Sequence, residues 1–136
     1  LRDEINKAKI NIKILNYMPA NKVKTIIKKS DLGIVTLINN MHKYSYPSKL
    51  LTYLQLGVPV LTTTNKNSDI TKDIISGKCG FWIPKNNPIF LSNLLIKLSK
   101  DKNWREVMTS NAQNVYKKKF SSKVILDKWK LIIENH

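Results

Sequence analysis

Three short runs rich in β-branched and apolar residues, 33–38, 58–63 and 80–83, alternate with helical patterns at 47–56 and 68–76. Strands and helices that alternate through short connections assemble as parallel βαβ units, not as a bundle or a sandwich. Residues 33–38 are almost wholly apolar, the pattern of a strand covered on both faces. A further strand is expected at 11–15, where polar and apolar residues alternate up to the turn Asn16-Tyr17-Met18-Pro19. Asn21 is then expected to cap a helix through about residue 30, with Val23, Ile26 and Ile27 at helical spacing. The punctuation of the 47–56 helix is the strongest in the chain, because Pro47 suits a first helical turn and Gly57 a C-terminal cap. From Pro88 onward the pattern is helical only, over 89–100, 104–119 and 122–134. The last of these starts with a Ser-Ser cap and carries Val124, Ile125, Trp129 and Ile132 on one side. Lys117, Lys118 and Lys119 read as a solvated helix end whose cations suit the helix dipole.

Composition removes several classes. A chain of 136 residues can bury one ordinary core. Its single cysteine, Cys79, forms no internal disulfide, and no Cys/His cluster has zinc spacing. The longest apolar runs fall far short of the ~20 residues of a membrane-spanning helix. The chain opens at Leu1 without an initiator methionine or a basic-then-apolar leader, so it reads as a piece of a longer polypeptide. Its net charge of +15 rests on 22 lysines and only Arg2 and Arg105, accompanied by 15 asparagines and 17 isoleucines. That set is what an AT-rich genome favours, which accounts for most of the charge. Attraction to an anionic membrane surface comes second. Nucleic acid comes last, since guanidinium, the group suited to bidentate contacts, is nearly missing.

Ligands of parallel sheets bind at the carboxyl ends of strands, with phosphates against helix N-termini. The loop from 39 to 46 is such a place, for it leaves a buried strand and enters the Pro47 helix. On that helix Ser48, Lys49 and Thr52 share one stripe. Leu50, Leu51, Leu54 and Leu56 are its apolar remainder. The stripe fits a diphosphate and a ribose. Equally, Ser48 could cap, Lys49 be solvated and Thr52 bond back to a carbonyl.

The run Pro47-Ser48-Lys49-Leu50-Leu51-Thr52-Tyr53-Leu54-Gln55-Leu56-Gly57-Val58-Pro59-Val60 resembles the donor-binding pattern P-S-K-L-x-E-Y-L-A-x-G-x-P-V of retaining, GT-B-fold glycosyltransferases of family 4. Residues 11–19, 30–37, 76–84 and 104–120 are similar to the family's flanking segments in order and spacing. The resemblance implies a Rossmann-like parallel sheet with helices on both faces and C-terminal helices, one half of a GT-B fold, spanning 1–136. It implies that Tyr46, Pro47, Ser48, Lys49 and Leu50 face the donor diphosphate, that Thr52 and Tyr44 face the ribose, and that Asn16, Tyr17 and Met18 face the base. No metal or other cofactor is implied, because helix dipole and cations neutralise the diphosphate.

Two departures accompany the resemblance. Tyr44 and Thr52 stand where the family carries glutamates. A carboxylate accepts charge-assisted bonds of roughly 1.5–3 kcal/mol each, against about 0.5–1.5 for a threonine hydroxyl. That substitution shifts the subgroup toward members that assemble O-antigen and colanic-acid units. The family's first strand is also expected to be missing ahead of residues 1–9, leaving a sheet edge that self-association would cover. The resulting expectation is a donor domain whose parent moves a sugar from a nucleotide-sugar, a UDP-sugar, to a lipid-linked glycan. The parent would be cytoplasmic and peripheral at the inner face of a bacterial membrane. The chain alone would be inactive, lacking the acceptor domain and any catalytic constellation: His42 reads as a bystander, His136 is terminal, and Glu4, Glu106 and Glu134 lie on solvated faces. A non-catalytic partner or membrane-binding module with a decayed donor site is the alternative. A sugar-nucleotide 2-epimerase would need carboxylates and a histidine that are not placed here.

Overall fold

The computed structural model describes residues 11–37, 46–101 and 103–135. In chain order the elements are α1 (Ala20–Lys28), β1 (Gly33–Val35), α2 (Ser48–Leu56), β2 (Val60–Thr62), α3 (Asp69–Ser76), β3 (Gly80–Trp82), α4 (Pro88–Lys100), α5 (Asn103–Lys119) and α6 (Ser122–Glu134). The strands form a parallel sheet in the order β1-β2-β3, with Gly33 opposite Val60 and Val60 opposite Gly80. Each strand therefore sits beside the next in sequence, joined through α2 and α3, as the alternating pattern requires. The expected α/β class holds, with helices flanking the sheet and three more helices following it.

Alternation along the strands sorts the two faces. Val35 and Val60 point into a cluster with Leu50 and Leu54 of α2, Ile70 and Ile74 of α3, Cys79, and Ala112 of α5. Leu61, and with it Ile34 and Phe81 by register, points the other way. There Trp104 of α5 meets Phe81 edge-on at 6.1 Å and donates from Nε1 to the Leu98 carbonyl at 2.8 Å, binding α5 to α4. Arg105 joins Asp31 at 2.8 Å and so ties α5 to the turn between α1 and β1.

Helix ends follow local chemistry, with differences from expectation. Pro47 occupies the N-cap of α2 in extended conformation, so the helix proper starts at Ser48. Gly57, at φ 72°, closes α2 in a Schellman turn: Gly57 N–H donates to Leu54 O and Val58 N–H to Tyr53 O. At α1 the cap is Pro19 and not Asn21, whose side chain instead accepts from the Lys22 N–H. Ser121 has the cap conformation at α6, but its hydroxyl donates back to Lys117 O.

Two packing expectations are corrected. Residues 11–15 form no strand, because no ladder partner lies beside them among the described residues, and Ile12, Ile14 and Leu15 stay exposed. β1 is not covered on both faces: Val35 is buried, whereas Ile34, on the opposite face, is 56% exposed. Lys117, Lys118 and Lys119 are exposed at the end of α5 as expected, and Lys119 in addition pairs with Asp73. On α6 no residue is buried, and Ile125, Trp129 and Ile132 are exposed.

A buried hydroxyl cluster follows β2. Thr64 Oγ1 lies 2.9 Å from the hydroxyls of Thr62 and Thr71 and 3.3 Å from that of Ser68. Ser68 Oγ also caps α3 by accepting from the Thr71 N–H. Removing it with Ser68→Ala takes away the cap and one partner of a buried network, so a loss of about 1–2 kcal/mol is expected in urea unfolding.

Candidate functional site

The carboxyl end of the described sheet is where α2 and α3 begin. Pro47 fixes the entry into α2, and the N–H groups of Ser48 and Lys49 open its first turn, where the helix itself supplies no acceptor among the described residues. Both side chains are exposed. Leu50 faces the other way: it is fully buried, and its N–H donates to Pro47 O at 3.0 Å. Thr52, on the same stripe, donates its hydroxyl to Ser48 O at 3.1 Å, leaving the oxygen's lone pairs as its outward chemistry. The first turn of α2 thus offers amide hydrogens, an ammonium and a hydroxyl acceptor. Such a set suits an anion at a helix N-terminus.

Tyr46, just ahead of the cap, is held from two sides. Its ring lies 5.0 Å from that of Phe120, tilted by 41°. Its hydroxyl donates to Asp73 Oδ2 of α3 at 3.0 Å. Burial first, and the Asp73 charge second, push the phenol far above its ordinary pKa, so Tyr46 is a neutral donor. The other carboxylate oxygen of Asp73 takes the Lys119 ammonium from α5.

Asn16, Tyr17 and Met18 lie on the segment that leads into α1, and α1 packs against α2. Tyr17 is fully exposed. Structure thus gathers Tyr46, Pro47, Ser48, Lys49 and Thr52 at one helix end, while the 16–18 segment precedes the neighbouring helix α1. Tyr44, His42, Glu4 and His136 lie outside the described residues, whereas Glu106 and Glu134 are exposed on helices.

Some groups at this edge were not singled out by sequence. Trp82 Nε1 donates to Thr64 O at 2.8 Å, and Lys66 sits over the Trp82 ring at 5.6 Å. The Thr62-Thr63-Thr64 run with Ser68 and Thr71 was the available signal, for such residues bond locally where strands end. Cys79 contributes no reactive group: burial raises its thiol to about 11 and keeps it protonated in the core. Among the described residues no group of three or more His, Cys, Asp or Glu is placed to hold a metal ion. No described helix is long and apolar enough to cross a membrane. A cleft of about 500 Å³ lined by Asp31, Leu95, Trp104 and Arg105 lies toward the opposite end of α2, since Arg105 also borders the groove at Leu56 and Gly57.

A family model described as "Glycosyl transferases group 1" matches residues 1–115. No curated protein and no solved structure gives a significant match.

Proposed function

This chain belongs to the group 1 glycosyl transferases, and from that membership we propose that it forms the donor-binding half of a retaining, family 4 type GT-B enzyme. The donor is a nucleotide-sugar, a UDP-sugar, and the acceptor a lipid-linked glycan in O-antigen or colanic-acid type polysaccharide assembly at the inner face of a bacterial membrane. The observation that supports this reading is the exposed first turn of α2, where Ser48 and Lys49 follow directly on a cap fixed by Pro47. In this role the amides and Lys49 neutralise the diphosphate without a metal, Thr52 accepts from the ribose, and the 16–18 segment lies along the base.

Calorimetry of the 136-residue chain with UDP, UMP and UDP-sugars tests it. UDP is expected to bind more tightly than UMP, with affinity that falls as salt rises and is unaffected by EDTA. Lys49→Ala removes the ammonium and is expected to weaken UDP binding at least tenfold, equivalent to about 1.4 kcal/mol or more. Equal affinities for UDP and UMP, or an unaffected Lys49→Ala variant, would remove the diphosphate from this helix end.

Two observations favour a second reading. The Thr52 hydroxyl turns back onto its own helix where the family carries a carboxylate, and α6 exposes Leu126, Trp129, Leu131 and Ile133. A non-catalytic partner or membrane-binding module with a decayed donor site would show both features. It predicts no heat with any nucleotide and sedimentation with anionic vesicles.

A further inference from the structure

Asp73 is the one acidic side chain among the described residues that meets both the hydroxyl of a half-buried tyrosine and an ammonium from a separate helix. It stands on α3, Tyr46 just ahead of α2, and Lys119 at the end of α5, so a single carboxylate links the three helices. Its side chain is 13% exposed, which makes an unpaired charge there costly. Stability alone gives a weak reason for such a group, because its ion partner Lys119 is 51% exposed and a pair open to solvent on one side adds little. What the carboxylate supplies instead is direction. A hydrogen bond fixes where the Tyr46 ring points, and Phe120, against the same ring, removes the remaining freedom.

We infer that Asp73, neutralised by Lys119, is a positioning residue: through the Tyr46 hydroxyl it sets the residue ahead of Pro47, and with it the direction of the Ser48 and Lys49 amides. The inference rests, for its functional consequence, on the reading of that turn as a diphosphate site. Neither Asp73 nor Lys119 touches the ligand in this arrangement. Their effect passes along the chain from Tyr46 into the cap.

The test uses the whole 136-residue chain and Tyr46→Phe, which keeps the ring against Phe120 and removes only the hydroxyl. Asp73→Asn, which retains an oxygen for Tyr46 but loses the charge facing Lys119, is the second variant. Ile74→Val, a methylene deletion in the buried face of the same helix, controls for destabilisation. Readouts are the melting temperature, the ¹⁵N–¹H resonances of Ser48 and Lys49 without ligand, and UDP affinity. Tyr46→Phe is expected to shift both resonances and to weaken UDP binding about three- to tenfold, the range for one hydrogen bond. Asp73→Asn should shift the same resonances, whereas Ile74→Val should lower the melting temperature with resonances and affinity unmoved. A Tyr46→Phe chain that melts earlier while its Ser48 and Lys49 resonances stay in place overturns the positioning role and leaves the donor reading intact. A wild-type chain that takes up no UDP removes the donor reading, and the ligand-free resonances then decide the positioning role by themselves.

Discussion

Gly80→Ala is expected to cost at least about 3 kcal/mol, the upper range for overpacking, because the added methyl group has nowhere to go. A Cβ at Gly80 would lie 1.9 Å from Val60 O, 2.7 Å from Val60 C and 2.8 Å from Val60 N. All three are backbone atoms of the central strand, and the strand is fixed on its other side by β1 and above and below by buried Val60, Leu61 and Thr62. Relief therefore requires β3 to leave the ladder, and the cluster around Cys79 opens with it. Gly33→Ala provides the contrast: the three atoms nearest its methyl all belong to the Tyr53 ring, at 2.6–2.7 Å, and a side chain can repack where the β2 backbone cannot. With an m-value of about 2 kcal/mol/M in urea, the Gly80 loss corresponds to a midpoint lower by more than about 1 M. A midpoint within a few tenths molar of wild type would show that β3 pairs less closely than described.

Local signals in the sequence were reliable where one residue type has one physical use. Pro47 and Gly57 bracket α2 because proline tolerates the helix entry and glycine the left-handed exit, and both sit there in the structure. The stripe of Ser48, Lys49 and Thr52 was likewise legible, since helical spacing alone places the three together. The same logic misleads at the end of α3. There the left-handed position belongs to Lys78, at φ 48°, while Gly77 keeps a right-handed conformation. Gly77 is small for a different reason: a Cβ would meet Val115 at 2.4 Å and the Asp73 carbonyl at 2.7 Å. Packing from α5 sets that residue, and no local pattern reports it. Residues 11–15 show the complementary error, for alternation describes a strand's faces but cannot provide the neighbouring ladder it needs. Most hidden of all was the Tyr46, Asp73 and Lys119 trio, whose members are 27 and 46 positions apart from Asp73 in the chain. Only the fold brings them together.

Leu54→Ala is the second large effect, expected at about 3 kcal/mol within the usual 2–5 range for deleting a buried leucine. Leu54 is fully buried in the cluster that joins α2 to the sheet, α3 and α5. For a chain of this size the loss corresponds to a melting temperature lower by roughly 10 °C. Leu131→Ala, on α6, deletes the same atoms from a side chain that is 60% exposed, so a change within about 0.5 kcal/mol is expected. The pair measures whether α6 is covered. Equal losses at Leu54 and Leu131, with a Leu131 loss that grows with protein concentration, would mean that the α6 apolar stripe is buried against a second copy of the chain. A Leu131 loss near zero at every concentration means the stripe stays in solvent, and the cluster around Leu54 then carries the fold alone.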